Sequence, residues 1–177
     1  MVREIKSLIA YFSRKGNNYV GGRIVHLPVG NTEVAAKIIQ KLTGGDTFRI
    51  ESVKEYPSDY TKTTDVARQE LRQNARPELS VHVENMEDYG VICLGYPNWW
   101  GTMPMAVFTF LEMHNFSGKT ILPFCTHEGS GMGRSESDIK KLCHDANVLK
   151  GLSIRGESVQ RAGNDISAWL RESGVID

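Results

Sequence analysis

At 177 residues, 40% of them hydrophobic and 24% charged, the chain has the size and composition of one globular domain able to bury a core. Lys plus Arg number 21 and Asp plus Glu also 21, so the formal net charge is zero, which argues against a nucleic-acid partner or an anionic membrane surface. No apolar run approaches the roughly 18 residues of a membrane span, and the opening residues carry no apolar signal core, so a cytoplasmic protein is expected.

Residues 7–12 read as the first strand, because Leu8-Ile9-Ala10-Tyr11-Phe12 is the continuous apolar run of a central parallel strand. It gives way to Ser13-Arg14-Lys15-Gly16. Val34, Ala35, Ile38, Ile39 and Leu42 then recur at helical spacing, with Asn31 or Thr32 as the expected cap and Gly44-Gly45 as the stop. Residues 47–53 alternate as a second, half-exposed strand, and 65–74 form a polar helix that ends before Pro77. The third strand, 91–94, runs into Tyr96-Pro97-Asn98-Trp99-Trp100-Gly101-Thr102-Met103-Pro104, and Pro104 takes the first position of the next helix. Residues 120–125 read as the fourth strand and 135–146 as a helix capped by Ser135 or Ser137. Residues 149–154 read as the fifth strand, and Ile166, Trp169 and Leu170 mark a last helix.

Strands alternating with helices predict a single α/β domain over residues 1–177. Its expected form is a three-layer, doubly wound, five-stranded parallel sheet of order 2-1-3-4-5. The crevice of such a sheet opens at the carboxyl ends of the strands, between the first and the third. The loops after Ser13 and Tyr96 meet there, with the loop after Cys125 beside them.

Each loop suggests one part of a ligand. The first ends at a helix start, where free N–H groups and the helix dipole favour an anion; Ser13, Asn31 and Thr32 add donors, and Gly16 and Gly30 allow close approach. The second offers the ring faces of Trp99 and Trp100, which a flat ligand can stack on. The third, Thr126-His127-Glu128-Gly129-Ser130-Gly131-Met132-Gly133, offers backbone amides, with Gly129, Gly131 and Gly133 able to take positive φ. Together they describe a site for a phosphorylated flat heterocycle. Cys93, Cys125 and Cys143 lack CxxC spacing and read as buried reduced thiols. The five histidines contain no HExxH, so no metal site is expected, and no Gly-x-Ser-x-Gly elbow announces a hydrolase.

On these three loops the chain resembles the flavodoxin-like FMN proteins, over nearly its whole length. The first loop fits the length of that family's phosphate loop but departs from it at Lys15 and Asn18. Gly30-Asn31-Thr32-Glu33 then repeats the ending before the helix, so residues 17–29 read as an insertion able to form a small hairpin or flap. The Trp-Gly-Thr-Met-Pro and Thr-His-Glu-Gly-Ser-Gly loops resemble those of a bacterial flavodoxin subgroup with such an insertion. The resemblance implies FMN as cofactor. It implies phosphate contacts from Ser13, Lys15, Asn18, Gly30, Asn31 and Thr32. Ring contacts would come from Pro97, Asn98, Trp99, Trp100 and Gly101, and ring-edge contacts from Thr126, His127, Glu128, Gly129, Ser130 and Gly131. No catalytic residue is implied.

Two functions from different classes follow. One is an electron carrier that docks on a redox partner protein; the other is an enzyme passing electrons from NAD(P)H to a quinone or similar small acceptor. A cofactor-free binding module of the same fold is a third. Carriers of this family present an acidic face, for which Asp59, Asp65, Glu84, Glu87 and Asp88 are the candidates. Gly95 and Gly101 are the positions where the family's behaviour suggests a peptide flip beside the ring, and His127 is a candidate for proton transfer to it.

Overall fold

Leu8 and Ala10 face one side of the strand Lys6–Tyr11 (β1) while Ile9 and Tyr11 face the other, and all four are buried. An unbroken apolar run is therefore what this strand requires, since both faces of the sheet are covered. The computed structural model describes residues 5–177; the first four, part of the opening stretch read as lacking a signal core, lie outside the described residues. The chain continues through a hairpin of Gly16–Val20 (β2) and Arg23–Leu27 (β3), the helix Asn31–Thr43 (α1), the strand Asp46–Arg49 (β4) and the helix Tyr60–Arg72 (α2). There follow Tyr89–Pro97 (β5), Met105–Met113 (α3), Thr120–His127 (β6), Ser135–Leu142 (α4), the short strands Asn147–Val148 (β7) and Leu152–Arg155 (β8), and Gly163–Glu172 (α5).

The main sheet is parallel, in the order β4-β1-β5-β6 with β7 and then β8 along the outer side of β6. Counted as five positions this is the expected 2-1-3-4-5. One core lies under α1 and α5, with Ile9, Cys93, Leu122 and Phe124 of the sheet against Ala35, Ile39, Ile166 and Leu170. The other lies under α3 and α4, with Leu8, Ile92, Leu94 and Tyr96 against Val107, Phe110 and Ile139.

The departures from the sequence reading have local causes. The second strand stops at Arg49, because β1 offers only its last carbonyl beyond that point (Ile50 N–H to Tyr11 C=O, 2.7 Å) and the chain turns to bridge Ser52 with Leu79. The fifth strand is broken by a bulge, in which residues 149–151 stand opposite only Leu122 and Pro123. Leu149 N–H bonds Ile121 C=O, so position 123 faces the same edge, where proline has no N–H to give. The polar helix starts at Tyr60 rather than 65, because Asp59 Oδ1 accepts Lys62 N–H at 2.8 Å. Pro104 is the residue before α3 rather than its first. Helix α4 ends at Leu142, and neither expected serine caps it. Ser135 is instead buried, accepting the Tyr96 hydroxyl at 2.8 Å and donating to Met132 C=O at 2.6 Å.

Candidate functional site

Phe12 N–H bonds Gly95 C=O at 2.9 Å, which carries the β1 edge one residue past the strand and delivers Ser13 to the crevice. Ser13 Oγ accepts Glu33 N–H at 3.1 Å. It thereby caps α1 from another element, a role the sequence reading gave to Asn31 or Thr32; the N-terminal residue Gly30 makes no side-chain cap. A Cβ on Gly30 would lie 2.2 Å from Ser13 Oγ, so this packing needs glycine. The N–H groups of Asn31 and Thr32 open the helix and have no acceptor within it. Thr32 Oγ1 lies 2.8 Å from Thr126 Oγ1, tying the first loop to the third. Behind them Arg49 holds the loop, donating to Ser13 C=O at 3.0 Å and pairing with Glu33 at 2.8 Å.

The second loop is a tight turn. Trp99 N–H bonds Thr102 C=O at 2.8 Å and Thr102 N–H returns to Trp99 C=O at 3.3 Å, with Trp100 at φ 57° and Gly101 at φ 88° between them. Positive φ at both central positions is the geometry of a type I′ turn, and a tryptophan there is strained by about 1–2 kcal/mol. The two tryptophans diverge. Trp99 meets Phe12 and Tyr56 edge to face, both at 5.1 Å, and borders the crevice. Trp100, 47% exposed, leans on α2, donating Nε1–H to Thr64 C=O at 2.9 Å beneath the Arg68 guanidinium. Asn98 joins this loop to the third, accepting Gly101 N–H at 2.9 Å and donating to Gly131 C=O at 2.8 Å. Both glycines expected to allow a peptide flip have hydrogen-bonded peptide groups in this structure. Gly95 C=O is held by Phe12, and the Gly101 peptide groups are held by Asn98 on one side and by Arg134 N–H on the other.

In the third loop Gly129, Gly131 and Gly133 all take positive φ. His127 Nδ1 accepts Gly129 N–H at 2.9 Å, which places the ring proton of the neutral form on Nε2. Burial, and then the charge of Arg155, hold its pKa below the ordinary value. Glu128 Oε2 accepts the N–H of Gly21, at the tip of the β2–β3 hairpin, at 3.0 Å.

The three loops enclose a cleft of about 390 Å³, within the range of roughly 300–1,000 Å³ usual for small-molecule sites. Ser13, Asn18, Asn31 and Thr32 line one side and Pro97, Asn98 and Trp99 another. Thr126, His127, Glu128, Gly129 and Ser130 complete the wall. Lys15, Gly30, Trp100, Gly101 and Gly131 do not line it. Lys15 faces a separate groove and Trp100 a second cavity; Gly30 packs against Ser13 and Arg14, and Gly101 and Gly131 take positive φ in their turns. Four lining residues were missed: Arg14, Tyr19, Tyr60 and Gly156. Arg14 donates to Pro57 C=O at 3.0 Å and Ser58 C=O at 2.9 Å, and Tyr19 stacks on Tyr60 with centroids 6.2 Å apart. The hairpin thus spans the cleft from α2 to the third loop. Lys15 was assigned from its place in the family's phosphate loop, but it is exposed, whereas Arg14 and Asn18 are half-buried. The five acidic residues do not form one face. Asp59 opens α2 near the cleft, whereas Glu84, Glu87 and Asp88 precede β5, at the opposite end of the sheet.

Among the described residues no cluster of His, Cys, Asp or Glu is arranged to hold a metal, and no helix is long and apolar enough to cross a membrane. The sequence model described as flavodoxin matches residues 6–173. Comparison with curated proteins finds no match. Among solved structures, the chain is similar to a candidate flavoprotein of Bacteroides eggerthii, with 31% identity, a TM-score of 0.76 and coverage of 96% of this chain and 98% of that one. It is also similar to a candidate flavoprotein of Bacteroides uniformis (26%, 0.74, 94% and 98%). In fold it is similar to a flavoprotein of Lactobacillus acidophilus solved in complex with FMN (22%, 0.64, 91% and 99%).

Proposed function

The chain belongs to the flavodoxin family, and on that premise we propose that it binds FMN non-covalently in the three-loop cleft and carries electrons to or from a redox partner protein. The observation that carries this reading is that one cleft holds anion-binding donors at one side and an aromatic wall at the other. The residues present fit the cofactor. Ser13 and the opening amides of α1 suit the phosphate, and Trp99 with Pro97 and Asn98 suits the flat ring. When bound, FMN supplies the redox chemistry.

The chain's own groups set the conditions for it. With FMN bound, the unpaired N–H groups of the third loop and the neutral His127 Nε2–H would favour negative charge beside them, and the Glu128 carboxylate would oppose it. The type I′ turn, held by Asn98 and by Arg134 N–H, gives the aromatic wall one fixed orientation. The three reduced, buried cysteines support a cytoplasmic location.

A second reading, an enzyme taking hydride from NAD(P)H for a small acceptor, draws on one observation. A cavity of about 290 Å³ adjoins the cleft, walled by Tyr60, Trp99 and Trp100. An anaerobic visible spectrum of the FMN-loaded protein, with NADPH or NADH and no reductase, decides between them. The carrier keeps its flavin bands until a reductase is added, and rapid bleaching by the nicotinamide alone would establish the enzyme.

A further inference from the structure

Type I′ turns favour Asn or Gly at their central positions, because both of these take positive φ. Here the first of them is Trp100, at φ 57°, with its side chain 47% exposed. The ring belongs to neither core and does not line the cofactor cleft. A tryptophan kept in a strained backbone position without filling core or cleft points to a role outside the fold. It is also held in one orientation. Nε1–H donates to Thr64 C=O at 2.9 Å, and the Arg68 guanidinium lies 5.2 Å from the ring centre. Arg134 closes the other flank, its Nη1 3.4 Å from where a Cβ on Gly101 would lie. Tryptophan and arginine are the residue types that most often anchor protein interfaces, and a side chain fixed beforehand loses little entropy on docking.

The turn precedes α3 and touches α2 through Thr64 and the start of α4 through Arg134, and the charges on those two segments are sorted by depth. Lys62, Arg68, Arg72, Arg134, Lys140 and Lys141 are all exposed. Three carboxylates of the same stretches are half-buried and taken up internally: Glu70 accepts the Tyr56 hydroxyl, Glu136 the Gly151 N–H and Asp138 the Thr102 hydroxyl. Asp59 and Asp65 are exposed, and Asp59 caps α2. Arg134, Lys140 and Lys141 share one shallow groove on α4. The outward charge around Trp100 is therefore cationic, the reverse of the acidic face that the family resemblance implies; Glu84, Glu87 and Asp88 lie at the far end of the sheet.

Resting on the reading of the protein as an FMN electron carrier, we propose that the Trp100 turn anchors the partner interface and that the partner is an acidic redox protein. Carboxylates of the partner meet Arg68 and Arg134, around an apolar pocket that receives the indole. Trp99, the preceding residue, stands in the cleft wall, so a partner seated on Trp100 is brought beside the cofactor cleft.

The test follows electron transfer from the reduced, FMN-loaded protein to acidic cytochrome b5 and to basic cytochrome c by stopped flow, at ionic strengths from about 20 to 300 mM. Transfer to cytochrome b5 should slow as salt screens the attraction, and transfer to cytochrome c should not. At low salt Trp100→Ala should slow transfer to cytochrome b5 by about tenfold or more. Trp100→Asn suits the turn better, so it should fold well and still slow transfer as much, which separates docking from a folding defect. Arg68→Glu/Arg134→Gln should slow transfer to cytochrome b5 and quicken transfer to cytochrome c. FMN affinity should be unchanged in all three variants. Salt that slows cytochrome c instead, or wild-type rates to cytochrome b5 in the Trp100 variants, would overturn the docking surface and leave the cofactor reading intact. A wild type that retains no FMN on gel filtration sinks that reading, and the partner surface with it.

Discussion

Trp99 and Trp100 show why adjacency in sequence is poor evidence of shared surroundings. Positive φ at Trp100 turns its ring away from the crevice and onto α2, whereas Trp99 remains in its wall. Trp99→Ala should therefore weaken FMN binding by about 1–3 kcal/mol. Trp100→Ala should leave affinity near wild type and cost about 1 kcal/mol of stability through the lost cation–π contact and hydrogen bond. Calorimetric titration and thermal melts separate the two, and equal loss of affinity in both variants would contradict the divergent geometry. Histidine makes a second residue-scale prediction. Burial, chiefly, lowers the pKa of both His127 and His114 from the ordinary 6.5, so in that window the unfolded chain binds more protons than the folded one. Stability from these groups is present above pH 6.5 and is lost as pH falls through their folded values. Melting temperature should drop as pH falls below about 6.5, and the double variant His114→Gln/His127→Gln should flatten that slope; an unaltered slope would refute the assignment. Residue types were legible at this scale and orientations were not. Ser13 was picked as a donor from its position, but its capping of α1 depends on a contact twenty positions along the chain.

At the scale of elements, hydrophobic period told strand from helix wherever both faces or one stripe were buried, as in β1, β5, α1 and α3. Failures came where a neighbour decided the outcome. Pro123 of β6 breaks the adjacent strand into β7 and β8, and β4 stops where β1 does. The segment 17–29 was readable as an insertion because Gly30-Asn31-Thr32-Glu33 repeats the loop ending before the helix, and it forms a hairpin in a sheet of its own. Its contacts to Tyr60 and Glu128 were not readable, since both partners lie far along the chain. Because the hairpin shares no ladder with the main sheet, deleting residues 17–29 should leave the fold intact by circular dichroism and speed FMN dissociation by about tenfold, the loss of roughly 1.4 kcal/mol of closing contacts. Stopped-flow release at an unchanged rate would remove the hairpin from any role over the cleft.

For the molecule as a whole, the sheet order places three distant loops at one end, and composition alone said nothing of that meeting. The same closure buries every thiol. Burial pushes Cys93 up to about 12 and Cys143 to about 11, and raises Cys125 as well. The native protein should resist a thiol reagent at neutral pH and label fully once unfolded; fast labelling of the native chain would contradict the packing of the two cores. The most direct test of the central claim is a titration of the apoprotein with FMN, following flavin and tryptophan fluorescence together. The account requires saturable quenching of both at a single equivalent of FMN, markedly weakened in Trp99→Ala. Flavin emission that stays free-solution-like at every ratio, or saturation indifferent to Trp99, would contradict it.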